Sequence, residues 1–488
     1  MSKKIRWLAL FAVLALVVAA CGDAGGGDTT VAETTPETTA ETTPETTPET
    51  TPDTTAPEDT TDTTAPPAGD DVTFDVGVTE DTITVGLIAD LTGIFAPLVQ
   101  DIVATQEVYW DIVNENGGIA GKTVETLVVD NAYDVDQHRT QYEAIRNEVA
   151  IISQSTGSPH TSGVIDLMVE DNIVAIPLSW YSGWGDPAFD QGAAIEQQTN
   201  YCLEGMNVVE WMSERFEEEN GAPPTWGVIS FPGEYGQDGA FGAKHAITEL
   251  GLELVFDGEG LVTPAPDDPE TEIITGITQN APDIVFATVN PTNLAVIMGG
   301  AFQAGYAGQW TGSVPSYDFR LLDTPVAPII DSSYIQSGYN VLWNTDVPGM
   351  TELKEAMLAA RPDLRPSDAF VLGWLEAKTV ERILSDAAAS GDMTRAGIKA
   401  AALAVEGLSF DGLAPDQSYS PPDDPNSFVT RELAFFDPDL AAYTEAGGAN
   451  QTIGSAPEGG TTGSILAEDF TVGDVAGGYD FTERCFAG

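Results

Sequence analysis

The chain has 488 residues, room for two domains and additional segments. Its 77 Asp and Glu against 18 Lys and Arg leave a formal net charge of −59. That charge argues against nucleic acid or an anionic membrane surface as a partner, and the three Cys and three widely separated His (His138, His160, His245) make no metal-binding pattern.

The first segment serves targeting, not folding. Lys3, Lys4 and Arg6 lead an apolar run, Trp7 to Ala20, that is too short for an ordinary membrane span. The run ends Val18-Ala19-Ala20-Cys21, which resembles a bacterial lipobox. That resemblance implies a signal peptide over residues 1–20, cleavage before Cys21 and lipidation of that Cys. The alternative is a plain secretory signal whose Cys falls there by coincidence. Residues 21–72 carry repeats such as ETTPETTPETTP and almost no large apolar side chains, so they cannot bury a core. They read as a disordered, extended tether that holds a folded region near the extracytoplasmic face of the cell membrane. In that setting the two other thiols, Cys202 and Cys485, are expected to pair; two free buried thiols are the other reading.

The folded region is organised around Ile83–Glu125. Ile83, Val85, Leu87 and Ile88 form an apolar strand, and a helix over 97–116 stops at Asn116-Gly117-Gly118. A second strand, Val124–Asp130, completes a βαβ crossover. Further strands are predicted at Val149–Ser153, Ile173–Pro177, Trp226–Phe231, Leu252–Phe256, Ile284–Val289 and Tyr334–Leu342. Helices are predicted near 135–147, 161–171, 203–219, 236–250, 270–279 and 292–305. This alternation implies an α/β fold of parallel sheets with helices on both faces. One sheet of eight or more strands is possible, but two smaller doubly wound sheets fit the length better, with a break near Thr199–Glu204. From Thr351 helical stretches dominate (351–360, 367–387, 394–406). A Pro/Asp/Ser loop, a strand-like Arg431–Phe436 and a Gly-rich tail follow.

VGLIADLTGIFAPLVQD, from Val85, followed by NENGGIAGKTVE, from Asn114, resembles the start of the mature domain in substrate-binding proteins of branched-chain amino-acid ABC importers. Val99 stands where that family often has Gly. The resemblance implies the type I periplasmic-binding-protein fold, two doubly wound lobes joined by a hinge that three strands cross. The first lobe would comprise residues 73–200 and 345–407, the second 201–344 and 408–488.

Site residues follow from the loops at strand ends, where open α/β sheets place ligands. Phe95, in the loop Thr92–Pro97, would line the cleft. The stretch Thr156-Gly157-Ser158-Pro159-His160-Thr161 puts small hydroxyl residues before a helix, which alone is an ordinary cap or an anion site. It is similar to the family loop that holds the ligand carboxylate, which assigns that role to Ser158. The next strand end, Ser179-Trp180-Tyr181, would supply further donors and aromatic walls; Trp180 and Tyr181 also read as plain packing. Phe231-Pro232-Gly233-Glu234-Tyr235-Gly236 resembles the family segment that turns a Tyr to the cleft, here Tyr235. The acidic residue that amino-acid binders use for the ligand ammonium has no clear counterpart in Gly312–Asp318; Val314 or Pro315 stands there, and Asp318 is the nearest carboxylate. A desolvated ammonium needs a counter-charge, so beside the amino acids that the resemblance implies, the sequence raises amides, urea-like solutes and carboxylates as ligands.

No nucleophile elbow and no phosphate-binding loop occurs. The expectation is therefore a monomeric binding protein without enzyme activity, cofactor or metal. Its partners would be a small-molecule ligand, an ABC permease and its ATPase, and the membrane through the lipid. A sensory receptor of the same fold and a secreted hydrolase are the competing readings.

Overall fold

The computed structural model describes residues 72–265, 270–420 and 422–488. The signal segment, Cys21 and the tether through residue 71 lie outside the described residues. Strand β1 (Thr82–Ala89) is buried along its length from Val85 onward, as a central parallel strand covered on both faces must be. It pairs in parallel with β2 (Thr123–Asp130) on one side and β3 (Ile151–Thr156) on the other, and β4 (Ala175–Leu178) completes a four-stranded sheet of order β2-β1-β3-β4.

Helix α1 (Ala96–Glu115) crosses from β1 to β2 and buries Val99, Ile102, Val103, Tyr109, Trp110 and Val113. Helix α2 (Val135–Ile145) is capped by Asp134, which accepts from the Gln137 N–H at 2.7 Å. The helix predicted over 161–171 is two, α3 (Ser158–Ser162) and α4 (Ile165–Asp171). The interruption falls at Gly163-Val164, where α4 starts anew.

The chain leaves this lobe after Ala194, which still bridges to Ala175 of β4. Asn200 caps α5 (Tyr201–Asn220) by accepting from the Leu203 N–H at 3.0 Å. The second lobe then builds β5 (Thr225–Ser230), β6 (Glu253–Gly258), β7 (Ile284–Thr288), β8 (Gln309–Gly312) and β9 (Tyr334–Gly338). Helices α6 (Glu234–Glu249), α7 (Thr271–Asn280), α8 (Pro291–Gln303) and α9 (Ala327–Ser333) connect them. Helices α5 and α6 touch backbone to backbone: a Cβ on Gly242 would lie 1.9 Å from the Cys202 carbonyl oxygen. Only glycine permits that approach.

The chain then returns to the first lobe. Helices α10 (Pro348–Ala360), α11 (Ala369–Ser390) and α12 (Arg395–Ala402) follow, and α10 and α11 pack on α1. Gln106 of α1 donates to Glu376 of α11 at 2.6 Å inside this contact. The stretch after Ala402 stays with these helices: Tyr419 donates its N–H to Val405 O, Gly349 donates to Asp411 O, and Lys378 pairs with Asp411.

The third crossing, at Thr430 beside Thr199, leads to β10 (Leu433–Pro438) and β11 (Ser464–Thr471). Strand β10 adds antiparallel to β9 and β11 antiparallel to β10, completing a seven-stranded sheet of order β11-β10-β9-β8-β7-β5-β6. No helix among the described residues is long and apolar enough to cross a membrane.

Cys202, at the start of α5, forms a disulfide with Cys485, 283 residues later. It pins segment 473–488 to the second lobe, where Glu210 of α5 already accepts from the Asp474 and Val475 N–H groups. Closing so long a loop restricts the unfolded chain by about 5–6 kcal/mol in the chain-entropy model. Cys485→Ser is therefore expected to lower the unfolding free energy by up to about that amount in a urea titration. A variant as stable as the parent would show that the segment holds without its covalent tie.

Candidate functional site

The carboxyl ends of β1, β3 and β4 meet the start of α5 and the β5–α6 loop across the seam between the lobes. They enclose a cavity of about 30 Å³, space for one or two waters. Phe95, Leu98, Val99, Tyr133, Leu178 and Trp180 wall it from the first lobe, and Tyr201, Tyr235 and Pro315 from the second. Thr156, Gly157 and Ser158 form its polar end. No charged side chain lines it. The lobes are thus closed on each other, and a ligand of any size enters only when they part.

The rings lock together across the seam. Phe95 meets Tyr235 edge-on at 6.2 Å between centroids and Tyr133 at 4.9 Å, while Tyr201 lies 4.9 Å from Tyr235. Tyr235 uses its hydroxyl within its own lobe, donating to the Val289 carbonyl at 2.7 Å beside Ser313 Oγ at 2.8 Å. It therefore offers the cavity a ring rather than a donor. At the polar end Ser158 Oγ and Ser179 Oγ share a hydrogen bond of 2.7 Å, and Trp184 Nε1 donates to Ser179 Oγ at 3.2 Å. Trp180 is aimed by its indole N–H, which donates to Gln198 at 3.0 Å, and by Tyr339, 4.7 Å away.

Of the residues singled out in the sequence, Phe95, Ser158, Trp180 and Tyr235 come together in this cavity. Ser179 stands behind it, holding Ser158. Tyr181 and Asp318 do not reach it. The Tyr181 hydroxyl donates to the Phe486 carbonyl, so the ring packs under segment 473–488. Asp318 caps a short 3₁₀ turn by accepting from the Arg320 N–H at 2.7 Å, and it pairs with the Arg320 guanidinium at 2.8 Å. It lines a neighbouring cavity with Tyr317 and Asp368, beyond Leu98. Tyr133 and Tyr201 carried no motif, and Leu98 lies in the quoted stretch from Val85 without having been singled out. Tyr201 had one indirect signal: it is the first helical residue after the Asn200 cap, at the carboxyl side of a lobe crossing.

Glu204 stands beside Val314 and is engaged by three donors. It accepts from the Val314 N–H at 2.8 Å, from Ser337 Oγ at 2.7 Å and from the Tyr339 hydroxyl. Burial raises it to about 8 despite those donors. Asp238 of α6 bridges the lobes, accepting from the Ser182 N–H at 3.0 Å and from Ser182 Oγ at 2.6 Å, and burial raises it to about 7. On the other flank Arg320 joins Asp101 of α1 at 2.5 Å.

These raised carboxyls fix a pH dependence. The folded chain keeps protons on Glu204 and Asp238 that the unfolded chain releases near pH 4. Between about pH 4 and 8 the native state binds more protons, so stability falls as pH rises. The urea midpoint is expected to be higher at pH 5 than at pH 8, and Asp238→Asn should flatten part of that slope. A midpoint that climbs from pH 5 to 8 would contradict it.

The chain matches the family described as periplasmic binding protein over residues 82–436. No curated protein sequence matches it. Among solved structures it is similar to a fatty acid ABC transporter substrate-binding protein from Thermomonospora curvata, with 26% identity and a TM-score of 0.73, covering 84% of this chain and 97% of that one. A branched-chain amino acid ABC transporter protein from Thermus thermophilus with bound valine gives 17% identity and a TM-score of 0.61 over 82% and 98%. A solute-binding protein from R. palustris in complex with 4-hydroxybenzoate gives 15% and 0.58 over 74% and 93%. With two hinged α/β lobes closed on an interlobe cavity, and a match spanning both lobes, the chain belongs to the periplasmic binding protein family.

Proposed function

We propose that this protein is the monomeric extracytoplasmic solute-binding component of an ABC importer, tethered through Cys21, and that its ligand is a carboxylic acid with an apolar or aromatic body and no ammonium group. The observation that carries the ligand class is the lining of the interlobe cavity. Nine apolar or aromatic walls face three residues of one polar end, Thr156, Gly157 and Ser158. Hydroxyl and backbone donors at that end suit a carboxylate or its acid. An α-amino group would be desolvated with no free counter-charge, since Glu204 is fully engaged and Asp318 belongs to Arg320.

Two similar proteins support this class, one named for fatty acids and one holding 4-hydroxybenzoate, whereas the one holding valine takes the ammonium that this reading excludes. In this reading the lobes part, the acid seats at Ser158, and closure brings Tyr235 and Tyr201 over its body. The closed form is then the one a permease receives.

A thermal-shift screen tests the ligand class. Octanoate, 4-hydroxybenzoate or a related acid is expected to raise the melting temperature where leucine does not; a shift with leucine alone would overturn the assignment. For an acid that binds, Tyr235→Ala removes one apolar wall, about 1.5–3 kcal/mol of burial, and should weaken the calorimetric affinity roughly 10- to 100-fold.

A further inference from the structure

A cavity of about 260 Å³ lies on the first lobe beside the hinge, apart from the interlobe seam. Trp184, Tyr419 and Phe428 line it together with Asp190, Glu196 and Asp423. Glu196 is only 4% exposed, and neither of its carboxylate oxygens has a hydrogen-bond partner. The Asn200 Nδ2 is near enough to favour the charged form, but it is outside hydrogen-bonding geometry and itself lacks a partner. Asp190 is 3% exposed and accepts from the Ala194 N–H at 3.2 Å. Lys399 acts on Asp190 and Arg431 on Glu196 only at longer range. Among the described residues neither cation pairs with them.

A buried carboxylate without a donor, as at Glu196, is costly, and burial pushes both acids up, Asp190 to about 7 despite its backbone donor. The residue types around it decide what would relieve that cost. Among the described residues no group of three or more His, Cys, Asp or Glu is placed to hold a metal ion, and the three aromatic residues offer one no oxygen. Aromatic faces with a carboxylate are the surroundings in which an organic ammonium is held, by cation–π attraction on its alkyl shell and by charge at the nitrogen.

We infer that this cavity is a second binding site, distinct from the interlobe cleft, for a small organic cation whose ammonium group is directed to Glu196 and whose body packs on Trp184, Tyr419 and Phe428. The site also has a physical link to the cleft. Trp184 donates to Ser179 Oγ, which holds Ser158 at the polar end of the interlobe cavity. Glu196 itself lies just before the first crossing at Thr199, which bridges to Thr430.

Calorimetric titration of the mature chain with choline, and separately with its neutral isostere 3,3-dimethyl-1-butanol, tests the site in 150 mM sodium chloride. Choline is expected to bind one per chain, and the alcohol at least about tenfold more weakly, since the two differ only in the charge that Glu196 and the rings recognise. Glu196→Gln and Phe428→Ala should each weaken choline about tenfold or more, while Tyr235→Ala, in the cleft, should leave choline affinity unchanged. Absence of choline binding, or equal binding of choline and the alcohol by the unaltered protein, would overturn the proposal even if a variant failed to fold. Loss of choline binding in Tyr235→Ala would place the cation in the cleft and overturn it as well.

Discussion

A seam between two lobes must be closed firmly enough to exclude water and loosely enough to part. That constraint governs the chemistry found there. The apolar walls around Phe95, Tyr201 and Tyr235 supply adhesion without direction. Direction comes from a few polar ties at the flanks, Asp238 to Ser182 on one side and Arg320 to Asp101 on the other. Each tie exchanges protein partners for water when the lobes separate, so its net worth is small, about 0.5–1.5 kcal/mol for an ordinary hydrogen bond and somewhat more when charged. A few such ties set register while leaving the hinge free to move.

The same economy explains where charge is absent. A net charge of −59 covers the molecule in carboxylates, yet the interlobe cavity has none in its lining. The carboxylates that come close, Glu204 and Asp238, are either saturated with donors or used as ties. Ligand charge would have to be read by hydroxyls and backbone, whose donors are weaker than a guanidinium but demand less desolvation. Selectivity then rests on the fit of the apolar walls, Val99 and Leu98 of α1 among them.

Most of the frame was legible in the sequence. Parallel strands buried on both faces are apolar runs, and β1, β5 and β7 are three of them. Strand β8 escaped because it is four residues, Gln309–Gly312, with Trp310 its one large apolar side chain. Strand β11 escaped because it is an antiparallel edge whose Ile465 and Leu466 face solvent, so no alternation marks it. In the site, Phe95, Ser158, Trp180 and Tyr235 stand at strand ends whose flanking motifs announce them. Asp318 misleads because the sequence does not show that Arg320, two residues on, takes its charge. Tyr133 and Tyr201 are positioned by tertiary geometry that no local pattern encodes.

The disulfide has a consequence for the order of events in biogenesis. Cys202 leaves the synthetic machinery 283 residues ahead of Cys485. By then every strand of the second sheet and the whole helical return over the first lobe have been made. Both lobes can therefore begin to fold, and the chain make its three crossings, before the covalent bond is possible. The bond then acts as a late lock on a finished assembly rather than as a guide to it. A cell that exports this chain thus has a window, between lobe folding and oxidation, in which segment 473–488 is held only by contacts such as those of Glu210 with Asp474 and Val475.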